Sequence, residues 1–281
     1  MTLLDVVAKL APESSKTTVR SWIKEGRVLV DNTLTTVTSI LVHTGQVITL
    51  GERPRFIGGT LRILYEDRDL IVIDKPEGLL SVAAPYEKEE TAHALLKDHV
   101  RPGRVFPVHR LDQETSGVMI FALSERAREA LKETFEAHTI KRHYVAIVEG
   151  MVEPAQGTWS SYQYEDANYK VHHTTDPKKG KLAITHYKTL GQSKYYTALL
   201  LTLETGRKNQ IRAHCELAGY PVAGDKKYGG KTDPGKRLCL HARDIAFPHP
   251  VSGKKMSFES PLPDALLKVV PALKTKGPHA Q

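Results

Sequence analysis

The pattern of apolar residues changes at a short segment rich in glycine, proline and arginine, GERPRFIGGT at residues 51–60. Before this segment the apolar periodicity is mainly helical. After it, most apolar runs are short and rich in β-branched and aromatic residues. Glycine and proline interrupt regular structure, so the segment is typical of a linker. The sequence therefore predicts a small unit over residues 1–52, a linker over 53–60, a larger unit over 61–268 and a flexible tail over 269–281.

The first unit is predicted to be a small α/β domain that begins with two helices. Residues 3–10 have helical spacing, and Ser14 or Ser15 can cap a second helix that runs to about Glu25. The glycine that follows is typical of a helix end. Two strand-like runs complete the unit, at residues 27–30 and 46–50.

The second predicted helix carries a basic face. Lys16, Arg20 and Lys24 are four residues apart and therefore share one side of the helix, and Arg27 follows its end. Such a face is often only solvated surface charge. Here, however, residues 1–52 hold five Lys and Arg against five Asp and Glu, so the positive charge is concentrated on a neutral unit. This concentration favours a directional site for an anion such as an RNA backbone.

The larger unit is predicted to be an α+β domain with a mixed, largely antiparallel sheet, because many strand-like runs alternate with few helical segments. The strand-like runs lie at residues 61–66, 70–75, 117–123, 144–150, 183–190 and 196–204, and the helical segments lie near 91–99, 125–138 and 208–218.

Charge and composition narrow the partners of the chain. The formal net charge of +8 is typical of a protein with a polyanionic partner, although many basic proteins bind no nucleic acid. Two Lys-rich stretches at residues 176–181 and 225–237 are predicted loops, which either contact phosphates or only add soluble charge. There are two cysteines, no secretory signal at the start and no run long enough to span a membrane. We therefore expect a cytoplasmic, monomeric protein without membrane contact.

The run HRLDQETSG at residues 109–117 concentrates reactive side chains. It places a histidine, an arginine, a carboxylate and two hydroxyls directly before an apolar strand. Functional residues often lie on loops at strand ends, where a rigid scaffold holds them. A structural role is also open, since Asp112 can cap a turn through Thr115 and Ser116.

Four segments in order resemble the RluA family of pseudouridine synthases. HRLDQETSG is similar to the family's catalytic loop, HRLDxxTSG, at every defined position, which implies that Asp112 is the catalytic aspartate. DKPEG at 74–78 is similar to the family's first motif, KPxG. KRHYVAIVEG at 141–150 and GRKNQIRAH at 206–214 resemble two further motifs, which implies catalytic roles for Tyr144 and Arg212. The resemblance extends from about residue 61 to residue 263 and implies the pseudouridine synthase fold.

A second resemblance concerns the first unit. SWIKEGRVLVDN at residues 21–32 is similar to the alpha-L RNA-binding module of ribosomal protein S-four, which is appended to many such synthases. This resemblance implies that the basic face formed by Lys16, Arg20, Lys24 and Arg27 binds RNA.

The family resemblance also implies substrate contacts around the predicted site. Arg110 stands at the position associated with prying the target nucleotide from its stack. The other motif positions that we predict to bind substrate are Lys75, His109, Arg207, Asn209 and Gln210. Asn209 replaces the histidine that the family often has, and its amide can still donate and accept hydrogen bonds.

The reaction implied by the family explains these residue types. Uridine isomerisation breaks the bond from ribose to the base nitrogen and forms one from ribose to a base carbon, so no cofactor or metal is expected. It needs an ionised carboxylate beside the ribose. We predict that Arg212 lies at salt-bridge distance from Asp112 and stabilises its charge. Tyr144 is predicted to stack on the uracil or to help remove a proton from the base, which demands an unusual environment for its hydroxyl.

The sequence is also compatible with two other functions. Asp112 and Glu114 can be imagined as the carboxylate pair of a glycoside hydrolase, but no aromatic-rich sugar platform accompanies them. Alternatively, the chain is a non-catalytic RNA-binding protein that retains the synthase fold. If the chain is a pseudouridine synthase, its motifs do not specify which RNA or which uridine it modifies.

Overall fold

A computed structural model describes residues 1–31, 33–83 and 90–274. Its first unit contains both predicted helices and both predicted strands, together with one short strand that was not predicted. Ser15, rather than Ser14, caps the second helix, because its side chain accepts a hydrogen bond from the backbone N–H of Thr18. The small sheet has the order β2-β1-β3 and is antiparallel. The elements are α1 (Leu3–Leu10), α2 (Lys16–Lys24), β1 (Val28–Val30), β2 (Thr33–Leu34) and β3 (Ile48–Leu50).

The remaining strands of the described chain form one twelve-stranded sheet. Its main path is β11-β10-β12-β13-β9-β14-β8-β6-β5-β4, with β15 paired to β14 and β7 paired to β8. Among the described pairs, β8 with β14 is parallel and the others are antiparallel. The strands are β4 (Arg55–Ile57), β5 (Leu61–Glu66), β6 (Leu70–Lys75), β7 (Phe106–Pro107), β8 (Ser116–Ala122), β9 (Lys141–Glu149), β10 (Gln156–Glu165), β11 (Val171–Thr174), β12 (Lys181–Gln192), β13 (Tyr196–Leu203), β14 (Leu240–Pro248) and β15 (Lys255–Glu259). This confirms the predicted α+β class and the largely antiparallel sheet.

Helices cover the centre of the sheet on both faces. The helices are α3 (Ala92–His99), α4 (Glu125–Glu136), α5 (Gln210–Leu217) and α6 (Asp264–Val269), with short 3-10 turns at Lys226–Tyr228 and Pro271–Lys274. Along β6, Leu70 and Val72 join one core cluster with α4, whereas Ile71 and Ile73 join another with α3. A strand that is buried on both faces needs apolar residues at every position, which is why LIVI reads as a continuous run.

The parallel contact between β8 and β14 depends on a glycine. Gly117 has a φ of +120°, and a Cβ at this position would lie 2.1 Å from the backbone oxygen of Ala242. A side chain therefore cannot be accommodated without moving one of the two strands. The close approach fixes the start of β8, and with it the loop that carries the HRLDQETSG motif.

The predicted linker and tail both need correction. The stretch 53–60 contains β4, which pairs with β5, so it belongs to the edge of the sheet rather than to a free connection. At the other end, Val270 and Leu273 are buried in the main core. The predicted tail 269–281 is therefore wrong up to residue 274, and the rest of it lies outside the described residues.

Candidate active site

Asp112 lies in the loop between β7 and β8. Its backbone oxygen accepts a hydrogen bond from the N–H of Thr115 at 3.1 Å, so the turn is closed by the main chain. The carboxylate is left to make other contacts, and its side chain is 25% exposed. The alternative role of Asp112 as a side-chain turn cap does not describe these contacts.

Arg212 reaches Asp112 from α5, as predicted. Its Nη1 lies 3.6 Å from Oδ2 of Asp112, and its Nη2 lies 3.1 Å from Oε2 of Glu114, which is largely exposed. The Arg212 side chain itself is only 5% exposed. One buried guanidinium thus connects two carboxylates of the HRLDQETSG loop across 98 to 100 residues of chain.

Asp225 holds Arg212 in place, and sequence reasoning missed it. Its carboxylate accepts bonds from Nε and Nη2 of Arg212 at 2.6 and 2.7 Å, and it also accepts from the backbone N–H groups of Lys227 and Tyr228. Burial alone would lower the pKa of Arg212, but the bonds and charge of Asp225 outweigh burial and raise it. A buried arginine requires such a partner, yet nothing in the sequence identified Asp225 among the acidic residues.

Asn209 contacts the same carboxylate. Its Nδ2 donates to Oδ2 of Asp112 at 2.8 Å, since a carboxylate can only accept. Asn209 precedes α5 in a left-handed conformation, with φ of +49°, and its side chain makes no helix-capping bond. One N–H of the amide is thus used on Asp112, and the contact of Asn209 with substrate, through its second N–H or its oxygen, stays a prediction.

Lys75 does not present its ammonium to a substrate. It is fully buried, and Nζ donates to the backbone oxygens of Pro76, Leu79 and Gln113 at 3.0, 2.6 and 3.1 Å. Burial lowers the pKa of Lys75 to about 7, while the charge of Asp112 acts in the opposite direction. The predicted substrate-binding role is therefore corrected to a structural one, in which Lys75 joins the KPEG segment to the catalytic loop.

His109 and Gln210 are also structural, which corrects two further predictions. Nε2 of His109 accepts from the backbone N–H of Ile120 at 2.9 Å, and burial lowers the pKa of the ring to about 3, so the ring is neutral. Gln210 is buried, and its amide makes bonds to Thr205, Arg207, Ile184 and Thr185. Gln210 therefore has no free polar atom for a substrate, and in His109 the bonded Nε2 is used on the backbone while Nδ1 is buried without a partner among the described residues.

Tyr144 lies on β9 and is 7% exposed. Burial raises the pKa of its hydroxyl, the charge of Arg142 lowers it and the charge of Asp112 raises it again. The net shift is upward, so the hydroxyl is protonated at neutral pH. This environment is the reverse of what a proton-removing role for Tyr144 requires.

Several predicted RNA contacts remain at the surface. Arg110 and Arg207 are exposed, and Nε of Arg207 donates to the backbone oxygen of Leu182 at 3.0 Å. On α2, the three cations predicted to share a face are all exposed; we call Lys16, Arg20 and Lys24 the basic face of α2. Arg27 differs from them, because its guanidinium lies 5.0 Å from the centroid of the Trp22 ring and its Nε donates to Gly51.

Neutral histidines anchor α5 to the sheet. The backbone oxygen of Ala213 can only accept, so Nε2 of His173 donates to it. This assignment fixes the donor and the acceptor in each of the neighbouring hydrogen bonds. Thr185 donates to Nδ1 of His214 at 2.8 Å, Nε2 of His214 donates to Ser161, and Ser161 donates to Nδ1 of His173, the last two at 3.1 Å. Burial lowers the pKa of His214 to about 4. This chain of bonds fixes the helix that carries Arg212.

Two other clusters have structural contacts. In the predicted basic loop 225–237, the side chain of Arg237 is only 8% exposed and forms a 3.0 Å ion pair with Glu77 of the KPEG segment, which corrects its assignment as a surface cation. Asp67, Asp69 and His249 bring potential metal ligands within 4.8 Å of one another. However, Nδ1 of His249 accepts from backbone N–H groups and Nε2 donates to Asp67, so the ring has no free ligand atom.

Comparison with known proteins identifies relatives over most of the chain. The sequence model of a family described as RNA pseudouridylate synthase matches residues 69–217, and that of the S4 domain matches residues 1–48. The "Uncharacterized RNA pseudouridine synthase YlyB" of Bacillus subtilis is 32% identical, over 94% of this chain and 91% of that protein. The "Ribosomal large subunit pseudouridine synthase D" of Pseudomonas aeruginosa is 34% identical, over 96% and 91%.

A solved structure supports the same fold. Human RNA Pseudouridylate Synthase Domain Containing 4 superimposes with a TM-score of 0.63 at 23% identity, over 77% of this chain and 94% of that chain. No helix in the described part of the chain is long and apolar enough to cross a membrane.

Proposed function

The chain belongs to the RNA pseudouridylate synthase family, and from that premise we propose that it isomerises specific uridines in structured RNA, with Asp112 as the catalytic carboxylate. The observation that carries this proposal is the convergence of Arg212 and Asn209 on one oxygen of Asp112. Family membership leaves no support for the glycoside hydrolase hypothesis.

The contacts of Asp112 suit its proposed task. Arg212 and Asn209 both approach Oδ2, and together they stabilise the negative charge that a nucleophile or base needs. Oδ1 is then the oxygen directed to the ribose. The bond from ribose C1′ to uracil N1 breaks, the base turns, and C1′ bonds to C5. C5 then loses its proton and N1 gains one, so the atoms balance without any imported group.

Tyr144 is proposed to hold the uracil rather than to remove its proton. A protonated phenol is a poor base, and burial and Asp112 both raise the pKa of Tyr144. Its ring can stack on an unstacked base, as aromatic side chains do in RNA recognition. A Tyr144→Phe variant should therefore retain more activity than Tyr144→Leu.

RNA binding is proposed to involve both units. The basic face of α2 is exposed on a module that matches the S4 domain, and Arg110 is exposed beside Asp112. Flipping a base out of its stack costs a few kcal/mol, and phosphate contacts from these cations offset that cost. We expect the protein to act as a cytoplasmic monomer on its RNA.

We propose ribosomal RNA of the large subunit as the substrate, because the Pseudomonas relative is named for that subunit. Pseudouridine mapping of ribosomal and transfer RNA from cells with and without the gene tests this choice. Loss of a ribosomal site supports it, loss of a transfer RNA site redirects it, and loss of no site favours a non-catalytic RNA-binding protein.

The catalytic role of Asp112 has a matched control in the same loop. Asp112→Asn is expected to abolish turnover while RNA affinity persists, because the amide has the same shape but no charge. Glu114→Gln alters another carboxylate on Arg212 and should retain most activity. Equal loss of binding and turnover in Asp112→Asn would assign Asp112 a structural role.

A further inference from the structure

A groove lies beside the loop that leads into α5. It has a volume of about 430 Å³, within the range of small-molecule sites. Strand β10, the start of β12 and the loop before α5 form its walls. Its side chains include Gln163, Tyr164, Lys179, Lys181, Arg207 and Lys208. Of these, Arg207 was predicted to bind substrate, and Lys179 and Lys181 lie in the stretch for which phosphate contact was left open.

The groove is strongly positive. Four cations line it against the single carboxylate of Glu165, which pairs with Lys208. Lys179 and Lys181 are exposed, and Arg207 uses its Nε on a backbone oxygen but keeps its other N–H groups at the surface. After Lys208 is paired with Glu165, three cations of the groove remain without a carboxylate in its lining. Such a groove is suited to a phosphate-bearing ligand.

Gln163 gives the groove a second recognition element. It is 5% exposed, and neither its amide nitrogen nor its amide oxygen has a hydrogen-bond partner among the described residues. A buried polar group without a partner is costly, so a partner from outside the chain is expected here. An amide offers one donor side and one acceptor side in a plane, which matches the edge of a nucleobase.

The groove is close to the catalytic carboxylate. Arg207 precedes Asn209 by two residues, so their Cα atoms are at most about 8 Å apart. Asn209 in turn bonds Asp112 at 2.8 Å. One short loop therefore forms a wall of the groove and a wall of the candidate active site, and one RNA strand can occupy both.

We propose that this groove is a second RNA subsite, which binds an unstacked nucleotide near the target uridine in the same strand. The phosphate lies against Lys179, Lys181 and Arg207, and the edge of the base pairs with Gln163. The subsite rests on the proposed function and adds to it a source of sequence preference outside the catalytic motifs.

Gln163→Met tests the base contact, because it keeps the size of the side chain and removes both polar atoms. On a panel of RNA substrates that differ at single bases flanking the target, the wild type should prefer one base at one position. Gln163→Met should lose this preference and raise KM roughly tenfold with kcat nearly unchanged. Its melting temperature should be equal or higher, because unpaired polar atoms have been removed.

Lys179→Ala with Lys181→Ala tests the phosphate contact with exposed residues that the fold does not need. KM should rise, and the slope of log KM against log salt should fall by about 1.4, for two contacts to a single strand. Lys132→Ala with Lys188→Ala removes the same charge from other exposed positions and should change both quantities less.

Other outcomes would overturn the subsite. Unchanged flanking-base preference in folded Gln163→Met, or equal effects of the two lysine pairs, would do so. Inorganic phosphate that binds wild type but not Lys179→Ala with Lys181→Ala, with KM for RNA unchanged, would make the groove a free-anion site. A wild type that forms no pseudouridine in any RNA refutes the proposed function instead, so the two failures are distinct.

Discussion

Asn209 offers the sharpest test of how the site is organised. Asn209→Gly removes the amide that donates to Asp112 while tolerating the left-handed φ of +49°. A hydrogen bond to a charged group contributes about 1.5–3 kcal/mol. At about 1.4 kcal/mol per tenfold, complete loss of that contribution in the transition state would slow the reaction roughly 10- to 150-fold. Because Arg212 still holds Oδ2, we expect the lower end of this range.

The measurement is single-turnover release of tritium from RNA labelled at uracil C5, since the new bond replaces that hydrogen. RNA affinity, measured separately by filter binding, should change less than the rate does, because the bond that positions the carboxylate is made to Asp112. A purely structural role of Asn209 would instead lower the melting temperature of Asn209→Gly together with its rate.

Two further variants separate the effect of the lost hydrogen bond on the rate from the effect of backbone strain on stability. Asn209→Ala adds the strain of a left-handed Cβ and should be less stable than Asn209→Gly, with a similar rate. Asn209→His restores a donor that titrates near neutral pH, so it should recover activity in a pH-dependent way. Full activity in Asn209→Gly, or a loss of RNA affinity as large as the loss of rate, would refute the positioning role.

Contacts around Arg212, His214 and the basic face of α2 give further predictions. Asp225→Asn removes the charge that balances buried Arg212, so the free energy of unfolding in urea should fall by about 3 kcal/mol, against less than about 1 kcal/mol for the exposed Glu165→Gln. Burial lowers the pKa of His214 to about 4, while an unfolded histidine titrates near about 6.5. Between these values the unfolded chain binds a proton that the folded chain does not, so stability is lost as pH falls through this window, and His214→Phe should reduce the pH slope. Glutamine at all three positions of the basic face of α2 should weaken RNA binding and reduce its salt slope by up to about 2.7 on duplex RNA; an unchanged slope would remove this face from the RNA interface.

Strands and helices with strong periodicity could be predicted from the sequence, and others could not. The runs at β5 and β6 were predicted to the residue because their apolar side chains face packed layers. β10 was missed because its sequence, QGTWSSYQYE, is polar and largely exposed at an outer part of the sheet. There the strand is specified by pairing with β12, over eight registered positions, and such pairing leaves no apolar pattern.

In the candidate site, the sequence predicted which residues meet but not which of them are buried. The sequence predicted that Asp112 and Arg212 meet, and their atoms lie 3.6 Å apart. It did not predict that Lys75 is buried while Arg110 is exposed. Both are cations in short motifs, and only the path of the backbone decides which ammonium or guanidinium is surrounded by carbonyl oxygens.

The catalytic motifs therefore contain structural residues, which hold the loops, and residues proposed to act on the substrate. Sequence similarity cannot separate these two kinds. Lys75 and Gln210 direct their polar atoms at the backbone or at neighbouring side chains, and they hold the loops on which Asp112 and Asn209 are placed. Neither Lys75 nor Gln210 can choose among RNA targets, because their polar atoms are already hydrogen-bonded. Asp112 cannot do so either, because it is proposed to act on a ribose that all uridines share. Target choice must then depend on surfaces outside the motifs. Gln163, with its unpaired amide in a basic groove, is the described side chain best placed to supply it.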